Sequence, residues 1–529
     1  MAPPETPEIA RSSSGTMHDD RSFVGHPRGL ATLFFTEMWE RFSYYGMRAI
    51  LTLFMTAAVA NGGLGLRPEE SGPIYAMYTS LVYLVTIPGG WIADNFLGQR
   101  KSVLYGGLVI MFGHICLAMH GLVLFYTGLG LIIMGTGLLK PNISVMVGQL
   151  YSEKDNRRDS GFSMFYMGIN LGAMIAPLVC GWLAQNPYFK AKLIGWGLDP
   201  INSWHWGFGA AAVGMFLGLV QYTLTGRHLG QAGLHPAPPK NPEMAVSNRR
   251  TLRLGVISVL VVAAGLTALA LSRPDLMTKS NIKSAFTVAL FTIVIGVFAR
   301  LFLTGDWTKA ERARLTVITI LFCAAAVFWG VFEQAGSTLT LFADRSTDNR
   351  VFGWAFDSSW WQSVNALMIV ILAPVFSWLW MRLGKSNPSY PTKFGVGLLF
   401  VGLGFVWLVG GANASVGGAK VGIHWLAVVY LLHTIGELCL SPVGLSSMTK
   451  LAPQRVVGMM MGVWFLASSV GNFLGGSVSG YYEKFALPTL FGVVGLSAIV
   501  MAGIMFALVR PMKRMMEEGG VASSTDHSA

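Results

Sequence analysis

Apolar runs close to twenty residues long recur from one end of this 529-residue chain to the other. Each is long enough to cross about 30 Å of hydrocarbon as a helix. Fourteen lie near 29–60, 72–97, 102–125, 127–150, 160–185, 205–226, 252–271, 282–303, 314–342, 359–382, 392–411, 423–449, 456–482 and 487–509. Backbone polar groups in lipid must pair within their own segment, so these runs are expected to form an all-α polytopic bundle. With 53% hydrophobic and only 12% charged residues, and a mean hydropathy of +0.53, the soluble classes are excluded. The first 28 residues are polar, so no cleavable signal is expected and the first run is expected to stay in the membrane.

The net charge of +12 carries information through its placement. Alternate loops hold Arg100/Lys101, Lys154/Arg157/Arg158, Arg227 to Arg253, Lys309/Arg312/Arg314, Arg382/Lys385/Lys393 and Lys450/Arg455, and the tail adds Arg510, Lys513 and Arg514. The other loops hold far fewer. This asymmetry puts both termini in the cytoplasm and gives no support for nucleic-acid binding. Cys116, Cys180, Cys323 and Cys439 all fall within expected helices, far apart in sequence, which argues against a disulfide framework and a metal site.

One loop, "GRHLGQAGLHPAPPKNPEMAVSNRR" at 226–250, is rich in proline and polar residues and separates the first six helices from the rest. Two ordinary apolar helices follow it, then six more. The expected organisation is a polar tail (1–28), a six-helix bundle (29–226), a linker (227–251), two inserted helices (252–303), a second six-helix bundle (304–511) and a tail (512–529). Between the second and third helices lies "GGWIADNFLGQRK" (89–101), which resembles the loop signature of the major facilitator superfamily. Its Gly90, Asp94, Gly98 and Arg100 are read as a gating loop, with glycines for a tight turn and Asp94 free to pair with basic helix ends. "FSWLWMRLGK" (376–385) is a degraded echo in the second half, as a parallel six-helix repeat would leave.

The first helix contains "FTEMWERFSYYGMR" (35–48), four full charges in an apolar segment. At 100° per residue Glu37, Arg41, Tyr44 and Arg48 fall within roughly 60° of one another, with Glu40 and Tyr45 flanking them. Facing lipid, each charge would cost about 2.5–3.5 kcal/mol at a helix centre. The stripe must therefore face a hydrated or mutually paired interior, which usually marks a pathway.

Glu37-x-x-Glu40-Arg41-Phe42-x-Tyr44-Tyr45 resembles the first-helix motif of the proton-coupled oligopeptide transporter (POT) family. "GLLKPN" with Lys140, "FYMGINLGAMIAP" with Tyr166 and Asn170, and "FWGVFEQ" with Trp329 and Glu333 follow in order. So do "QSVNALMIVILAPVF" with Asn365, "GELCLSPVGLS" with Glu437 and Ser441, and "GVWFLASSVGN" with Trp464. The resemblance covers roughly residues 30 to 510, and the two inserted helices match the family's bacterial members. It implies the major facilitator fold, two six-helix bundles plus the inserted pair working by alternating access. It also implies a symporter that imports di- and tripeptides, and peptide-like drugs, with protons across the bacterial cytoplasmic membrane.

The charges agree with that reading. Arg48 and Lys140 come from the first half, Glu333 and Glu437 from the second, so a cavity between them would be cationic on one wall and anionic on the other. A zwitterionic peptide is complementary. Arg48 can clamp its carboxylate through a planar fork, with Lys140, Tyr45 and Tyr83 in support. Glu437, with Asn170 and Asn365, suits the ammonium. Tyr44, Tyr166, Trp329, Trp464 and Ser441 would give an adaptable amphipathic pocket. Glu37, Glu40, Arg41, Glu333 and Lys140 are the expected proton-coupling set, with Glu333 and Lys140 pairing across the halves in one state. Animal members carry a histidine where this chain has Ala76, so coupling here cannot use that group, and His433 reads as a helix-interface residue. A simple anion such as nitrate has no use for the anionic wall. An amino-acid conjugate, a drug, or a non-transporting sensor are the remaining alternatives. No nucleotide loop, metal cluster or nucleophile–base spacing points to an enzyme or a cofactor, and a monomer driven by the proton gradient is expected.

Overall fold

The computed structural model describes residues 20–518 apart from 153–154, 240, 304 and 454–455. Lys154, Arg455 and the outermost tail residues of the sequence reading therefore lie outside the described residues, as does the side chain of Lys385. The first half contains α1 (Arg28–Thr56), α2 (Pro68–Leu84), α3 (Thr86–Ile92), α4 (Gln99–Leu117), α5 (Leu122–Gln149), α6 (Arg158–Gln185), the short α7 (Pro187–Gly195) and α8 (Ser203–Thr225). The inserted pair is α9 (Pro242–Ser272) and α10 (Lys279–Leu303). The second half contains α11 (Lys309–Phe332), α12 (Thr338–Arg345), α13 (Trp361–Leu383), α14 (Tyr390–Ala414), α15 (His424–Leu451), α16 (Val457–Ser479) and α17 (Leu487–Glu518). A two-strand ribbon, β1 (Arg350–Val351) and β2 (Trp354–Ala355), joins α12 to α13.

Taking α2–α3 and α11–α12 as single interrupted crossings gives the fourteen passes expected. Eleven helical stretches among the described residues are long and apolar enough to cross a membrane on composition alone. Of the other three, α1 is diluted by its charges and α4 by polar and small residues, while the first side chains of α16 lie outside the described residues. Two boundaries move. The third and fourth runs part earlier than their hydropathy suggests, at a turn where Gly121 adopts φ +118°. The last ten residues of the expected linker are already helical, because Asn241 caps α9 by accepting from the Met244 amide at 2.7 Å and Pro242 occupies its first turn.

The first half closes around residues such as Met47, Ile50, Ile132 and Phe208, the second around Phe328, Phe394, Phe405 and Phe491. Among the described residues α9 buries none and α10 buries only Leu290 and Leu301, so the inserted pair is a peripheral hairpin. The halves meet along α2 and α16. Ser80 and Ser469 hydroxyls lie 2.8 Å apart, and Gly476 presses on Ala76 so closely that a Cβ there would sit 2.8 Å from the alanine methyl. Ala76 is fully buried, which explains why a histidine has no room at this position.

Ala76→His should therefore overpack the α2–α16 seam, at a cost of about 1–3 kcal/mol, and lower the thermal unfolding midpoint of the purified protein. An unchanged midpoint would show that the two helices separate easily.

Candidate functional site

Burial of ionisable groups in α1 sets the site. Glu37, Glu40, Arg41 and Arg48 are all at most 5% exposed. Arg41 Nε lies 2.9 Å from Glu37 Oε1 and 2.5 Å from Glu40 Oε2. These approaches are close yet poorly aligned as hydrogen bonds, leaving both Glu40 oxygens and Glu37 Oε2 without a directed donor. Two carboxylates thus share one guanidinium. The compensating charge is Lys140 of α5, which is near enough to act electrostatically on all three. Its ammonium sits 3.7 Å from the centroid of the Tyr83 ring, a favourable seat for a cation.

Two turns further along α1, Arg48 crosses to the other half. Its Nη2 lies 2.5 Å from Glu333 Oε2, with both side chains 6% exposed, and its Nε donates to the Tyr75 hydroxyl at 2.9 Å. Glu333 opens the 3-10 turn Glu333–Gly336 that breaks α11 from α12. Thr52 of α1 donates to the Gly336 carbonyl at 2.7 Å. A Cβ at Gly336 would come within 2.7 Å of Arg48 Nε and collide with the Tyr75 hydroxyl, so glycine is what lets the two halves approach here. Removing one member of such a buried pair leaves an uncompensated charge, typically costing about 3–5 kcal/mol.

Beside this pair a cavity of about 880 Å³ opens between the halves. Tyr45, Arg48, Tyr83, Tyr166 and Asn170 line it from the first half, and Trp329, Glu333, Asn365, Glu437 and Ser441 from the second. Asn365 donates to Glu437 Oε2 at 3.0 Å and reaches the Thr434 hydroxyl at the same distance. Asn170 bonds back to the Tyr166 carbonyl at 2.9 Å. Among the described residues Glu437 is thus a cavity-facing carboxylate whose hydrogen-bond partner is an amide, while Arg48 on the wall is already paired.

Three expected wall residues are elsewhere in this conformation. Tyr44 is buried behind the wall, with the Arg41 guanidinium 5.7 Å from its ring centroid and Tyr45 stacked edge-on at 5.3 Å. Lys140 stands one layer back, behind Tyr83. Trp464 is buried against Gly444. The expected Lys140–Glu333 pair is replaced here by Arg48–Glu333, because Arg48 projects from the turn of α1 level with Glu333. Asp94 also differs from expectation. It accepts from the Gln99 amide at 2.9 Å rather than from a basic group. Arg100 binds the linker, donating to the Gly230 carbonyl and, at 2.7 Å, to that of Ala232. Gly98 has φ +75°, and Gly90 faces Pro141 of α5. The contacts of this loop anchor the linker to the first half.

Sequence reasoning missed Tyr75, Gln362, Phe332 and Tyr430. Gln362 bridges the halves by donating to the Ala49 carbonyl at 3.4 Å and to Thr340 Oγ1 at 3.1 Å. Tyr430 stacks on Trp361 at 5.8 Å. None carries a charge that would stand out in an apolar run. His433 lines the same cavity while lying between Phe332 and Phe405. At the end of the bundle away from the termini, Gln185 donates to the Ser358 hydroxyl at 3.0 Å and accepts from the Ser359 amide at 3.1 Å. Asn186 donates to Asp357 at 3.3 Å. That end is closed.

Two helical bundles enclosing a charged cavity at mid-depth, shut at one end by bonds between the halves, define a polytopic membrane carrier. The profile of the POT family matches residues 100–494. Over 499 residues the chain is 43% identical to an uncharacterized transporter, YclF, of Bacillus subtilis, covering 94% of this chain and 96% of that protein. It is 40% identical over 513 residues to the peptide transporter YePEPT of Yersinia enterocolitica, covering 94% and 96%. It is also 38% identical over 507 residues to a di-/tripeptide transporter of Lactococcus lactis subsp. cremoris, covering 94% and 98%. A crystal structure of a peptide transporter POT in complex with sulfate superposes with a TM-score of 0.84 at 41% identity, over 93% of this chain and 96% of that one. The chain belongs to the POT family.

Partial burial raises the Asp357 carboxyl from its ordinary 3.8 to about 6, against the opposing pull of Asn186 and Lys190. A carboxyl held above its unfolded value stabilises the closed fold fully below about pH 4, and that contribution is lost as pH rises through about 6. Asp357→Asn should therefore gain thermal stability relative to the parent as pH rises from 4 to 7. Parallel pH curves for the two proteins would refute the assignment.

Proposed function

We propose that this protein imports di- and tripeptides together with protons, alternating between states open to either side of a bacterial cytoplasmic membrane. In this reading both termini are cytoplasmic and the monomer is the working unit. The proton gradient drives it without a cofactor, and peptide-like drugs can share the site. The observation that carries the reading is the buried Arg48–Glu333 pair across the halves, with Glu437 on the opposite wall. The similarity to the Yersinia peptide transporter and the Lactococcus di-/tripeptide transporter supports the substrate class.

The chemistry follows from charge balance. With Glu333 ionised, Arg48 is neutralised and the cavity holds the lone Glu437 carboxylate, an ammonium site. A proton on Glu333 removes its charge and frees the Arg48 guanidinium, whose planar fork can take the peptide carboxylate in two parallel bonds. The proton and the peptide carboxylate then favour the same state, which is thermodynamic linkage between the two. Glu437 and Asn365 hold the peptide ammonium some distance across the cavity. Reading both ends and leaving side chains to Tyr166, Trp329 and Ser441 gives tolerance of sequence. The Glu37–Arg41–Glu40 cluster with Lys140 supplies a second titratable assembly within the first half, able to pass charge changes along α1.

The runner-up is a proton-coupled carrier of a different zwitterion or anion. A simple anion would leave Glu437 both unused and repulsive, so peptide is preferred over nitrate. A transport-deficient sensor would be expected to lose some of these charges, and all are present.

Purified protein in liposomes should accumulate labelled dialanine when an inward proton gradient is imposed. Glu333→Gln should still exchange peptide across the membrane but lose gradient-driven accumulation. Arg48→Lys, lacking the fork, should raise the half-saturating peptide concentration at least about tenfold. Absence of gradient-dependent accumulation in the parent protein would sink the symport reading, and stronger competition by nitrate or single amino acids than by dipeptides would favour the runner-up.

A further inference from the structure

The inserted hairpin meets both halves at the end of the bundle away from the termini, and a second polar cavity, of about 1180 Å³, lies at that junction. It is bounded by the start of α2, the start of α10 and the end of α16. Its charges are almost, but not fully, matched. Lys279 of α10 pairs with Glu70 at 2.7 Å, and Lys484, beyond α16, pairs with Glu69 at 3.0 Å. Lys283, one turn into α10, completes the wall. Among the described residues no carboxylate pairs with it; it lies 5.6 Å from the centroid of the Tyr481 ring, and its nearest acting charge is the like-charged Lys484. Arg67 also shares both glutamates, so three lysines and an arginine face two carboxylates and leave a positive excess at the cavity. Ser477 adds a buried hydroxyl oxygen that lines the cavity and, among the described residues, has no hydrogen-bond partner.

We propose that this cavity is an anion site for the phosphate of a membrane phospholipid, held by Lys283 with the Ser477 hydroxyl donating to the same group. A half-buried ammonium beside a like charge is a poor arrangement unless an anion completes it, and phosphate oxygens accept from ammonium and hydroxyl together. The setting selects the lipid. The outer surface of α10 exposes Ile282, Val288 and Phe291, suited to acyl chains, while the Lys283 side of the helix continues into Phe286 and Leu290 packed against the bundle. Tyr481 and Phe485 are exposed at the same level with rings 5.8 Å apart, as aromatic residues at a membrane interface are. The cavity therefore lies at headgroup depth in the leaflet opposite the termini, with apolar surface leading away from it. Bound there, one lipid touches the hairpin and the second half and lies beside the acidic start of α2. It would tie the otherwise peripheral hairpin to the seam.

The test uses the full chain purified in detergent and stripped of lipid, followed by tryptophan-detected thermal unfolding and native mass spectrometry. Three probes are titrated: a short-chain phosphatidylglycerol, the matching diacylglycerol and inorganic phosphate. Phosphatidylglycerol should raise the unfolding temperature saturably and be retained in the spectrometer, whereas diacylglycerol should not. Lys283→Gln should raise the half-saturating concentration about tenfold, and the exposed-helix control Lys192→Gln should leave it unchanged. Should Lys283→Gln fail to fold, Lys283→Arg is expected to keep binding and Ser477→Ala to weaken it severalfold. An equal response to inorganic phosphate supports the anion site and makes free phosphate its source. No saturable response to either phosphate-bearing probe, or equal responses from the parent and the Lys283 and Ser477 variants, overturns the proposal.

Discussion

A guanidinium and a carboxylate buried together across the interface of two helical bundles constrain everything else in this molecule. Neither Arg48 nor Glu333 can be left alone in a low-dielectric interior, so the halves cannot part at this level unless each charge finds another partner or disappears. The surroundings sharpen that constraint. Tyr75 belongs to the same half as Arg48 and holds its Nε, while Thr52 and Gly336 bring the backbone of the broken α11–α12 crossing directly against α1. The arginine thus has one bond that travels with its own half and a second set, to the Glu333 carboxylate and, at 3.5 Å, to its backbone carbonyl, that must be exchanged. Only the second can respond to a proton or a ligand.

What the sequence made legible follows the energy scale of each feature. A charge in an apolar run costs kilocalories unless it is matched, so Glu37, Glu40, Arg41 and Arg48 could be picked out from helical spacing, while Lys140, Glu333 and Glu437 emerge from the family motifs and are then read as deep charges. Their partners could not. Glu333 lies hundreds of residues from both Arg48 and Lys140, and the choice between these cations depends on the depth of each along its helix. Aromatic residues were harder still. In a chain that is 12% aromatic, nothing local separates Tyr83 and Tyr430, which line the cavity, from Tyr44 and Trp464, which are packed behind it. The fold was readable because hydrocarbon dictates helix length; its boundaries slipped where a glycine turn interrupted apolar sequence and where a capped helix began inside a polar linker.

The first helix carries two charge assemblies of different kind. Arg41 and Arg48 are seven residues apart, about 10.5 Å of helix rise, so the Glu37–Arg41–Glu40 cluster and the Arg48–Glu333 pair lie within mutual electrostatic reach in a medium that screens poorly. Lys140 stands between them against the Tyr83 ring, close enough to feel Glu37, Glu40 and Glu333. Its contact with an aromatic face, which is weaker than an ion pair, leaves it the most easily redirected cation of the group. If Glu333 lets go of Arg48, or Glu37 is neutralised, the best position for the Lys140 ammonium changes. A proton taken up at one assembly can therefore be felt at the other without a continuous chain of hydrogen bonds.

Strong contacts at the centre and weak ones at the rim also order the opening of the closed end. The rim holds Lys484–Glu69 and Lys279–Glu70, both with partly exposed partners. Such pairs are worth about 0–1 kcal/mol each. The hairpin rides mainly with the second half, through Phe286 on Phe473 and Phe298 on Phe322, and reaches the first half through the exposed Lys279–Glu70 pair and, near the other membrane surface, a hydrogen bond from Asn248 to Asn95 at 2.6 Å. Parting the rim is thus cheap beside the several kilocalories at stake around Arg48. The rim fixes the alignment of the closed state, while the larger energy sits in the buried pair.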